Sequence, residues 1–439
     1  TIRQTDQQNK YGFAITNRND VVFRNLDVRG GINSFNFTNS NNARLFDIAS
    51  VGTDKSGYVF SGSLRAHLTN VKSTNAGSAS AGLELNAGSH DAVVDGMVVD
   101  RAPERGILVN NSNNALLKNV TIIGGDAMAH ITGNGIDLVS AQNVRVQNAN
   151  ISFVKDHGVN IINTSTGTQL ENVTIVDALQ SGIVVKDSDA GMNGHFTNVR
   201  IDRTGRQGID VTNSNGLKLT DVRVSNTGKA MVATKTDGIS FNNSKTASLK
   251  EVSVDTTTTG GNGIVFFGNS TGAVLDGITI KNTGATGLFF NLGSTNAKAS
   301  NIKIENAKGG GIQVTASNGV KLEKVVVDQS AMTAGVQGVG ILNSDNVSLT
   351  DLQLKGKTGL TGLTINTASN ITILNVKTSN WTTGYVLTGG VTTTINAMST
   401  GNTSTNDTQT CDGTADIVAG GMLPVQRTVG MVVTNVNCN

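Results

Sequence analysis

A glycine followed by a short apolar strand recurs about every 25 residues, and this period constrains the fold more than any other feature. Each copy continues with a turn rich in Asn and Ser and a second strand in which apolar and polar residues alternate. Alternation of this kind predicts β-strands, and units of this length bury their apolar faces by stacking on one another. The sequence therefore predicts an all-β fold, a right-handed parallel β-helix of about 16 coils. The glycine steps begin at Gly82, Gly106, Gly135, Gly158, Gly182, Gly208, Gly238, Gly263, Gly287, Gly311, Gly340, Gly362 and Gly384.

Composition excludes several other classes of protein. The chain has 439 residues, with 52 Gly, only 2 Pro and a formal net charge of +2. Scarce Pro excludes collagen, and no apolar run reaches the roughly 18 residues of a transmembrane helix. A dedicated nucleic-acid-binding protein needs an excess of cations to neutralise phosphates. We therefore expect no nucleic-acid binding and no direct membrane insertion by this segment.

The end of the chain changes character. Residues 1–398 carry the repeat and are predicted to form the β-helix, whereas residues 399–439 are predicted to form a separate C-terminal cap. Cys411 and Cys438, the only cysteines, both lie in this last segment. A local pair of this kind favours a disulfide in a secreted chain. The predicted disulfide would staple the cap over strand edges that are otherwise exposed.

An asparagine row precedes the second strand of many copies. Side-chain amides stacked at one position can form a ladder of hydrogen bonds, and the sequence predicts such a ladder in the core. Its members are Asn25, Asn70, Asn119, Asn148, Asn172, Asn198, Asn301 and Asn375.

The candidate binding residues lie on one face and one edge of the predicted coils. In each Gly-apolar-x-apolar strand the residue x points outward, and charged residues cluster just before the glycines between about residues 104 and 240. Longer coils at 106–135, 208–238 and 311–340 place extra loops at the same edge, and the first two would flank a cleft. Ordinary solvent-facing polar residues are the alternative interpretation. The predicted ligand-binding residues are Arg105, Asp137, Lys155, Asp156, His157, Asn160, Lys186, Arg203, Arg206, Asp210, Lys235 and Asp237.

Metal, cofactor and catalytic sites are not predicted. The five histidines are scattered without ligand spacing. Asp137 and Asp210 share the outward row but lie three coils apart, about 14 Å at strand spacing, which is too far for a glycosidase pair. Asp137 with Asp156 on the neighbouring coil is a closer pair and stays open as an alternative. A lyase would need a base and cations, roles that Lys155, His157, Arg206 and Arg105 could fill on paper. The region lacks Tyr and Trp, which favours a charged glycan over a neutral one stacked on aromatic rings.

Units such as GIDLVSAQNVRVQNANI (135–151) and GISFNNSKTASLKEVSV (238–254) resemble the pectate-lyase-like superfamily of right-handed β-helices over about residues 12–390. That resemblance implies an acidic polysaccharide as ligand or substrate. Thr236-Asp237-Gly238-Ile239 looks like the start of a polygalacturonase motif, but the paired aspartates, Gly-His-Gly and Arg-Ile-Lys that should follow are absent.

The abundance of Asn, Thr, Gly and Ser and the scarcity of Cys, Trp and Tyr also resemble the passenger domains of autotransporter adhesins from Gram-negative bacteria. This resemblance implies a secreted or cell-surface virulence protein. Its partner would be an acidic polysaccharide such as a glycosaminoglycan, or a host extracellular-matrix protein. Two alternatives stay open: a polysaccharide lyase or epimerase acting on uronate polymers, and a trimeric phage tailspike depolymerase.

Overall fold

The computed structural model describes residues 2–3, 10–77, 80–188, 194–229, 236–258, 260–332, 337–357 and 359–388, and the short strands 394–395, 402–405, 408–411, 416–417, 425–429 and 432–436. The described residues form β-strands and turns without a helix. The fold is an all-β parallel solenoid of about 15 turns, close to the predicted number. Among the described residues no helix is long and apolar enough to cross a membrane.

The chain divides into two compact units. Unit 1 comprises residues 1–223 and 228–234, and unit 2 comprises residues 224–227 and 235–439. In each unit every turn supplies one strand to a sheet that carries the glycine steps, here called the glycine sheet, and one or two strands to a second sheet. Neighbouring strands in both sheets pair in parallel register.

In unit 1 the glycine sheet consists of Phe13–Thr16, Phe35–Thr38, Tyr58–Ser61, Ala81–Asn86, Arg105–Asn110, Asn134–Val139, Val159–Ile162, Ile183–Lys186 and Ile209–Thr212. Its second sheet consists of Ile2–Arg3, Val22–Arg29, Arg44–Val51, His67–Thr74, Val93–Asp95, Val98–Asp100, Leu116–Lys118, Thr121–Ile123, Arg145–Val154, Gln169–Ala178, His195–Thr204 and Lys218–Thr227, whose last residues belong to unit 2.

In unit 2 the glycine sheet consists of Ile239–Asn242, Ile264–Phe267, Thr286–Asn291, Gly310–Thr315, Gln337–Leu342, Thr361–Asn366, Thr383–Thr388 and Thr408–Cys411. The second sheet consists of Ser248–Lys250, Ser253–Thr257, Val274–Lys281, Lys298–Glu305, Lys321–Asp328, Ser348–Lys355, Thr372–Leu374, Lys377–Ser379, Asn402–Thr405, Val425–Val429 and Val432–Val436. Thr394–Ile395 and Asp416–Ile417 form a separate parallel pair.

The step glycines lie where the two sheets of a coil pack closely. A Cβ atom at Gly135 would come within 2.5 Å of both the Gly158 carbonyl oxygen and Ile151 Cγ2. Ile136 and Leu138, which follow it, are fully buried in the core. Any side chain at the step would therefore displace backbone or core, which explains why glycine recurs with the period of the coil.

One predicted step is out of register by two residues. Val339 pairs with Ile312, so the step equivalent to Gly311 is Gly338, not Gly340. Gly340 instead occupies the outward position beside Gln313. Two glycines separated by one residue offer the same local pattern, and only strand pairing distinguishes them.

A buried ladder of serines runs through the turns that follow the glycine sheet. The Ser63 Oγ atom accepts the Ser40 N–H (3.0 Å), and the Ser89 Oγ atom accepts the Ser63 N–H (3.1 Å). In the same way the Ser165 Oγ atom accepts the N–H of Ala141 (3.0 Å). Each hydroxyl satisfies a backbone donor that water cannot reach. The serines of this ladder in unit 1 are Ser40, Ser63, Ser89, Ser112, Ser165, Ser188 and Ser214, all nearly inaccessible to solvent.

The asparagine ladder exists, but the prediction that it lies in the core is wrong. Asn148 donates from Nδ2 to Asn119 Oδ1 (3.0 Å) and accepts at Oδ1 from Asn172 Nδ2 (3.0 Å), and all three side chains are exposed. These residues have positive φ, near 52–54°. Asn tolerates this left-handed conformation, which bends the strand and turns the side chain to the surface.

The segment predicted as a cap falls largely outside the described residues. Its described strands continue the parallel pairing, with Asn402–Thr405 beside Lys377–Ser379, and Val425–Val429 then pairs antiparallel with Val432–Val436. Cys438 lies outside the described residues, and nothing is described of the Cys411 side chain. The structure therefore does not support the predicted disulfide, which stays a prediction, as does the boundary at residue 398.

Candidate functional site

The residue before each step glycine forms a second ladder at one edge of unit 1, here called the edge row: Asn134, His157, Ser181 and Gln207. Asn134 Oδ1 accepts the backbone N–H of His157 (3.1 Å), and His157 Nδ1 accepts the N–H of Ser181 (3.2 Å). The Ser181 hydroxyl then donates to Gln207 Oε1 (3.3 Å). Four different side chains thus link successive coils through hydrogen bonds at equivalent positions.

His157 is held as a neutral hydrogen-bond donor. Because Nδ1 accepts a backbone N–H, the neutral ring carries its proton on Nε2. Burial lowers the pKa of His157, an effect that the carboxylates of Asp156 and Asp210 oppose and the guanidinium of Arg206 reinforces. The half-buried imidazole therefore presents Nε2–H rather than a free lone pair, which suits binding of an acceptor better than abstraction of a proton.

Asp137 and Asn160 follow in the outward row of the glycine sheet. They pair in register, and Val184 and Asp210 continue the same row, as predicted. Asp137 is only 3% exposed and Asn160 9% exposed. Asn160 Nδ2 donates to Asp137 Oδ1 (2.7 Å), so the two side chains engage one another rather than water.

Arg105 completes this cluster from the preceding coil. Its Nε atom lies 2.6 Å from Asp137 Oδ2, and its Nη1 atom lies 3.0 Å from Glu104 Oε2. Partial burial would lower the pKa of Arg105, but the hydrogen bonds and charges of Asp137 and Glu104 raise it overall. Asp137 is thus a buried, paired carboxylate, which leaves it poorly suited to act as a glycosidase acid.

Lys155 and Arg206 are exposed cations close to the edge row in sequence, two residues before His157 and one residue before Gln207. The Lys155 backbone N–H donates to the Thr132 carbonyl (2.6 Å), which places the lysine beside the long loop of the preceding coil. Arg206 directly precedes Gln207, and its charge acts on His157. Neither cation lies within ion-pair distance of a carboxylate among the described residues. Their charges are therefore available to an anion in solution.

The structure places the other predicted residues elsewhere or leaves them undescribed. Asp156 lies at the edge, with its Oδ2 atom 3.1 Å from where a Cβ atom of Gly133 would be. Lys186 is exposed, and its Nζ atom lies 3.9 Å from Asp187. Asp237, in unit 2, accepts the backbone N–H and the Nδ2 of Asn262, both at 2.8 Å. Lys235 lies outside the described residues.

Arg203 does not join the edge row. It lies on the second sheet, in His195–Thr204, where its Nε and Nη2 atoms each lie 2.8 Å from the Asp177 carboxylate. Hydrogen bonds to Asp177 raise the pKa of Arg203, with a further contribution from the charge of Asp202. This arginine is committed to a bidentate ion pair between neighbouring coils.

Three of the four residues of the edge row, all except His157, were missing from the predicted ligand-binding residues. Asn134, Ser181 and Gln207 carry no charge, so a search for charged clusters passes over them. Their signal is positional, because each directly precedes a step glycine. Gln207 is 1% exposed, and its Nε2 atom is buried without a hydrogen-bond partner among the described residues.

The first long loop forms a small hairpin. Gly125 and His130 make an isolated antiparallel bridge, and Asp126 Oδ1 accepts the N–H groups of Met128 (2.9 Å) and Ala129 (3.0 Å). Met128 at the tip is 97% exposed. The second long loop falls partly on residues 230–235, outside the described residues, so the predicted cleft between two loops stays a prediction. The described residues contain no cluster of His, Cys, Asp and Glu able to hold a metal ion.

Comparison with known proteins establishes the family. The chain matches the family described as right handed beta helix region over residues 65–226 and 189–350, which together span more than half of it. The protein therefore belongs to the right-handed β-helix family. No curated protein matches the chain in sequence.

Solved structures to which the chain shows similarity include proteins of different activities. A periplasmic alginate epimerase, AlgG, has a TM-score of 0.40 and 9% identity, covering 73% of this chain and 77% of its own. PfbA, a surface adhesin of Streptococcus pneumoniae, has a TM-score of 0.36 and 12% identity, covering 77% and 82%. The Azotobacter vinelandii mannuronan C-5 epimerase AlgE4 A-module has a TM-score of 0.41 and 12% identity, covering 81% and 91%. Similarities this low do not discriminate between functions.

Proposed function

We propose that the protein is a secreted or cell-surface adhesin, of the kind found in autotransporter passengers, that binds an acidic polysaccharide through the edge row of unit 1. One observation carries the proposal: exposed Lys155 and Arg206 have no described carboxylate partner, Lys155 lies two residues before His157 in the chain, and the charge of Arg206 acts on His157. Cations beside a neutral donor suit carboxylate or sulfate groups on a hydroxylated chain.

The repeat of the solenoid suits a polymeric ligand. Equivalent positions recur every strand spacing of about 4.8 Å, so successive sugars can meet similar groups on successive coils. Asp156 and Asp210 oppose an anion, and exposed contacts of this kind contribute only about 0.5–1 kcal/mol each. The affinity should therefore be modest and should fall as salt increases.

The geometry favours binding over catalysis. A uronate lyase or epimerase needs a base with a free lone pair, whereas His157 Nδ1 accepts the Ser181 N–H. A hydrolase needs a suitably spaced carboxyl pair, whereas Asp137 is paired with Arg105 and separated from Asp210 by two intervening strands. The protein can be incubated with uronate polymers while ultraviolet absorbance is followed. We expect no absorbance from unsaturated uronate, the product of a lyase. Its appearance would contradict the adhesin proposal and revive the lyase.

The direct test reverses the exposed cations. Lys155→Glu combined with Arg206→Glu should weaken binding of a heparin-like polymer at least about ten-fold in low salt, measured by isothermal titration calorimetry. The control is Lys308→Glu with Lys321→Glu, which makes the same charge change at exposed sites in unit 2. Circular dichroism must show that both variants keep their fold. Equal loss in the two variants would indicate a net-charge effect and overturn the proposed face.

A further inference from the structure

A cleft of about 350 Å³ opens on the second sheet of unit 2, between the strands Lys321–Asp328, Ser348–Lys355 and Lys377–Ser379. Val326 pairs in register with Gln353, and Gln353 with Lys377. Two residues further along the same strands, Asp328, Lys355 and Ser379 form a second row. Alternate residues of a strand share a face, so both rows line the cleft, here called the lysine cleft.

The lysine cleft carries uncompensated positive charge. Asp328 Oδ1 accepts the N–H (2.9 Å) and the hydroxyl (2.5 Å) of Ser330, and its Oδ2 atom lies 3.4 Å from Lys355 Nζ. That carboxylate is therefore already engaged, and it offsets Lys355. Lys377 has no carboxylate within ion-pair distance among the described residues. A ligand with one negative charge would complete the charge balance of the cleft.

Preceding coils of the same sheet show the contrast. Lys281 and Lys303 both reach Glu305, at 2.8 Å and 2.6 Å. There, Glu305 pairs with both lysines, and Lys303 occupies the same row of the sheet as Val326, Gln353 and Lys377. In the lysine cleft the strand register continues, but the described residues offer Lys377 no carboxylate equivalent to Glu305.

One wall of the cleft is apolar. Val326 is 36% exposed, and the amide of Gln353 and the hydroxyl of Ser379 lie in adjoining positions. An apolar wall with few polar groups and one free charge is the composition of a small-molecule site. The volume is in the range of sites that hold a single small ligand.

We propose that the lysine cleft binds a small sugar acid, a single carboxylate carried on a hydroxylated ring. Lys377 pairs with the carboxylate, Gln353 and Ser379 hydrogen-bond ring hydroxyls, and Val326 contacts the apolar face of the ring. The site lies in the other unit and on the other sheet from the edge row, so it does not depend on the proposed function.

Glucuronate is the probe, with binding followed by NMR chemical-shift changes on the full chain. We expect saturable binding, no detectable binding of glucose, and binding of acetate about ten-fold weaker than that of glucuronate. Lys377→Gln should weaken glucuronate binding about ten-fold. The matched control Lys308→Gln removes another exposed charge from unit 2, outside the cleft, and should leave binding unchanged.

Three outcomes would overturn the proposal: no saturable binding of glucuronate, equal binding of acetate and glucuronate, or equal loss in Lys377→Gln and Lys308→Gln. The first excludes a site, the second leaves only an anion contact without ring recognition, and the third indicates a non-specific charge effect. The charge reversals at Lys155 and Arg206 should leave glucuronate binding in the lysine cleft unchanged. The experiments can therefore reject the lysine cleft without rejecting polysaccharide binding at the edge row, and the reverse.

Discussion

The buried serine ladder and the edge row of unit 1 perform the same structural task with different side chains. In both, a side chain of one coil accepts a backbone N–H of a neighbouring coil, as Ser165 does for Ala141 and His157 does for Ser181. The buried ladder repeats Ser at most of its positions, and Ala141 interrupts it. The edge row varies through Asn, His, Ser and Gln. Its members also differ in accessibility, because the His157 ring is half-buried whereas Ser181 and Gln207 are only 2% and 1% exposed.

Breaking the ion pair beside the edge row should have the largest effect on stability. Arg105→Met leaves the Asp137 carboxylate buried without its cation and should cost about 3 kcal/mol. Chemical denaturation followed by circular dichroism measures the loss. Adding Asp137→Asn should restore most of it, because no uncompensated charge then stays buried and the amide oxygen can still accept from Asn160. A double variant as unstable as Arg105→Met would show that the pair contributes through packing alone.

Removing one hydroxyl of the buried serine ladder should have the next largest effect on stability. Ser165→Ala removes the acceptor of the buried Ala141 N–H and should cost about 1–3 kcal/mol. The complementary change, Ala141→Ser, adds a hydroxyl at the interrupted position of the ladder and should stabilise unit 1 by up to about 1 kcal/mol. Thermal and chemical unfolding measure both. A loss of stability in Ala141→Ser would show that packing around Ala141 leaves no room for the ladder to continue.

Substitutions at His157 should separate the two tasks of the edge row. His157→Leu removes the acceptor of the Ser181 N–H and should cost about 1 kcal/mol, whereas His157→Asn keeps an acceptor of the kind that Asn134 supplies and should be nearly neutral. Both remove Nε2–H, so both should weaken polysaccharide binding in calorimetry. If His157→Asn binds as tightly as the parent, the imidazole is purely structural.

Acidification should have the smallest effect on the stability of unit 1. The pKa of His157 lies below its ordinary value of 6.5 in the folded protein, so the unfolded chain takes up the proton first. The stability that neutral His157 contributes is complete above pH 6.5 and is lost as pH falls toward and through the lower, folded pKa. The melting temperature of unit 1 should fall over this range in the parent more than in His157→Asn. Identical pH profiles for the two proteins would rule out a contribution from this histidine.

The structure also shows where sequence reasoning stops. Local alternation correctly places Asp137, Asn160, Val184 and Asp210 in one row. It does not reveal that Arg105, 32 residues before Asp137, pairs with it, because that contact depends on which coils are neighbours. Nor does it distinguish Gly338 from Gly340, since two glycines one residue apart satisfy the same pattern. Lys186 and Arg203 are both basic residues that the sequence assigns to the same candidate binding region. Of these two, only Arg203 forms a bidentate ion pair with the preceding coil.

The sequence by itself determined the repeat, the all-β class and the approximate number of coils, because glycine spacing and period-two alternation act within a single coil. Only the tertiary structure decided which polar side chains are buried, paired or exposed. The serines of the turns form a buried ladder, whereas the asparagines at the bends form an exposed one. Both are small polar residues in Asn- and Ser-rich segments. The physical reason is that burial and pairing arise between coils, from register and from the positive φ that turns a bend outward.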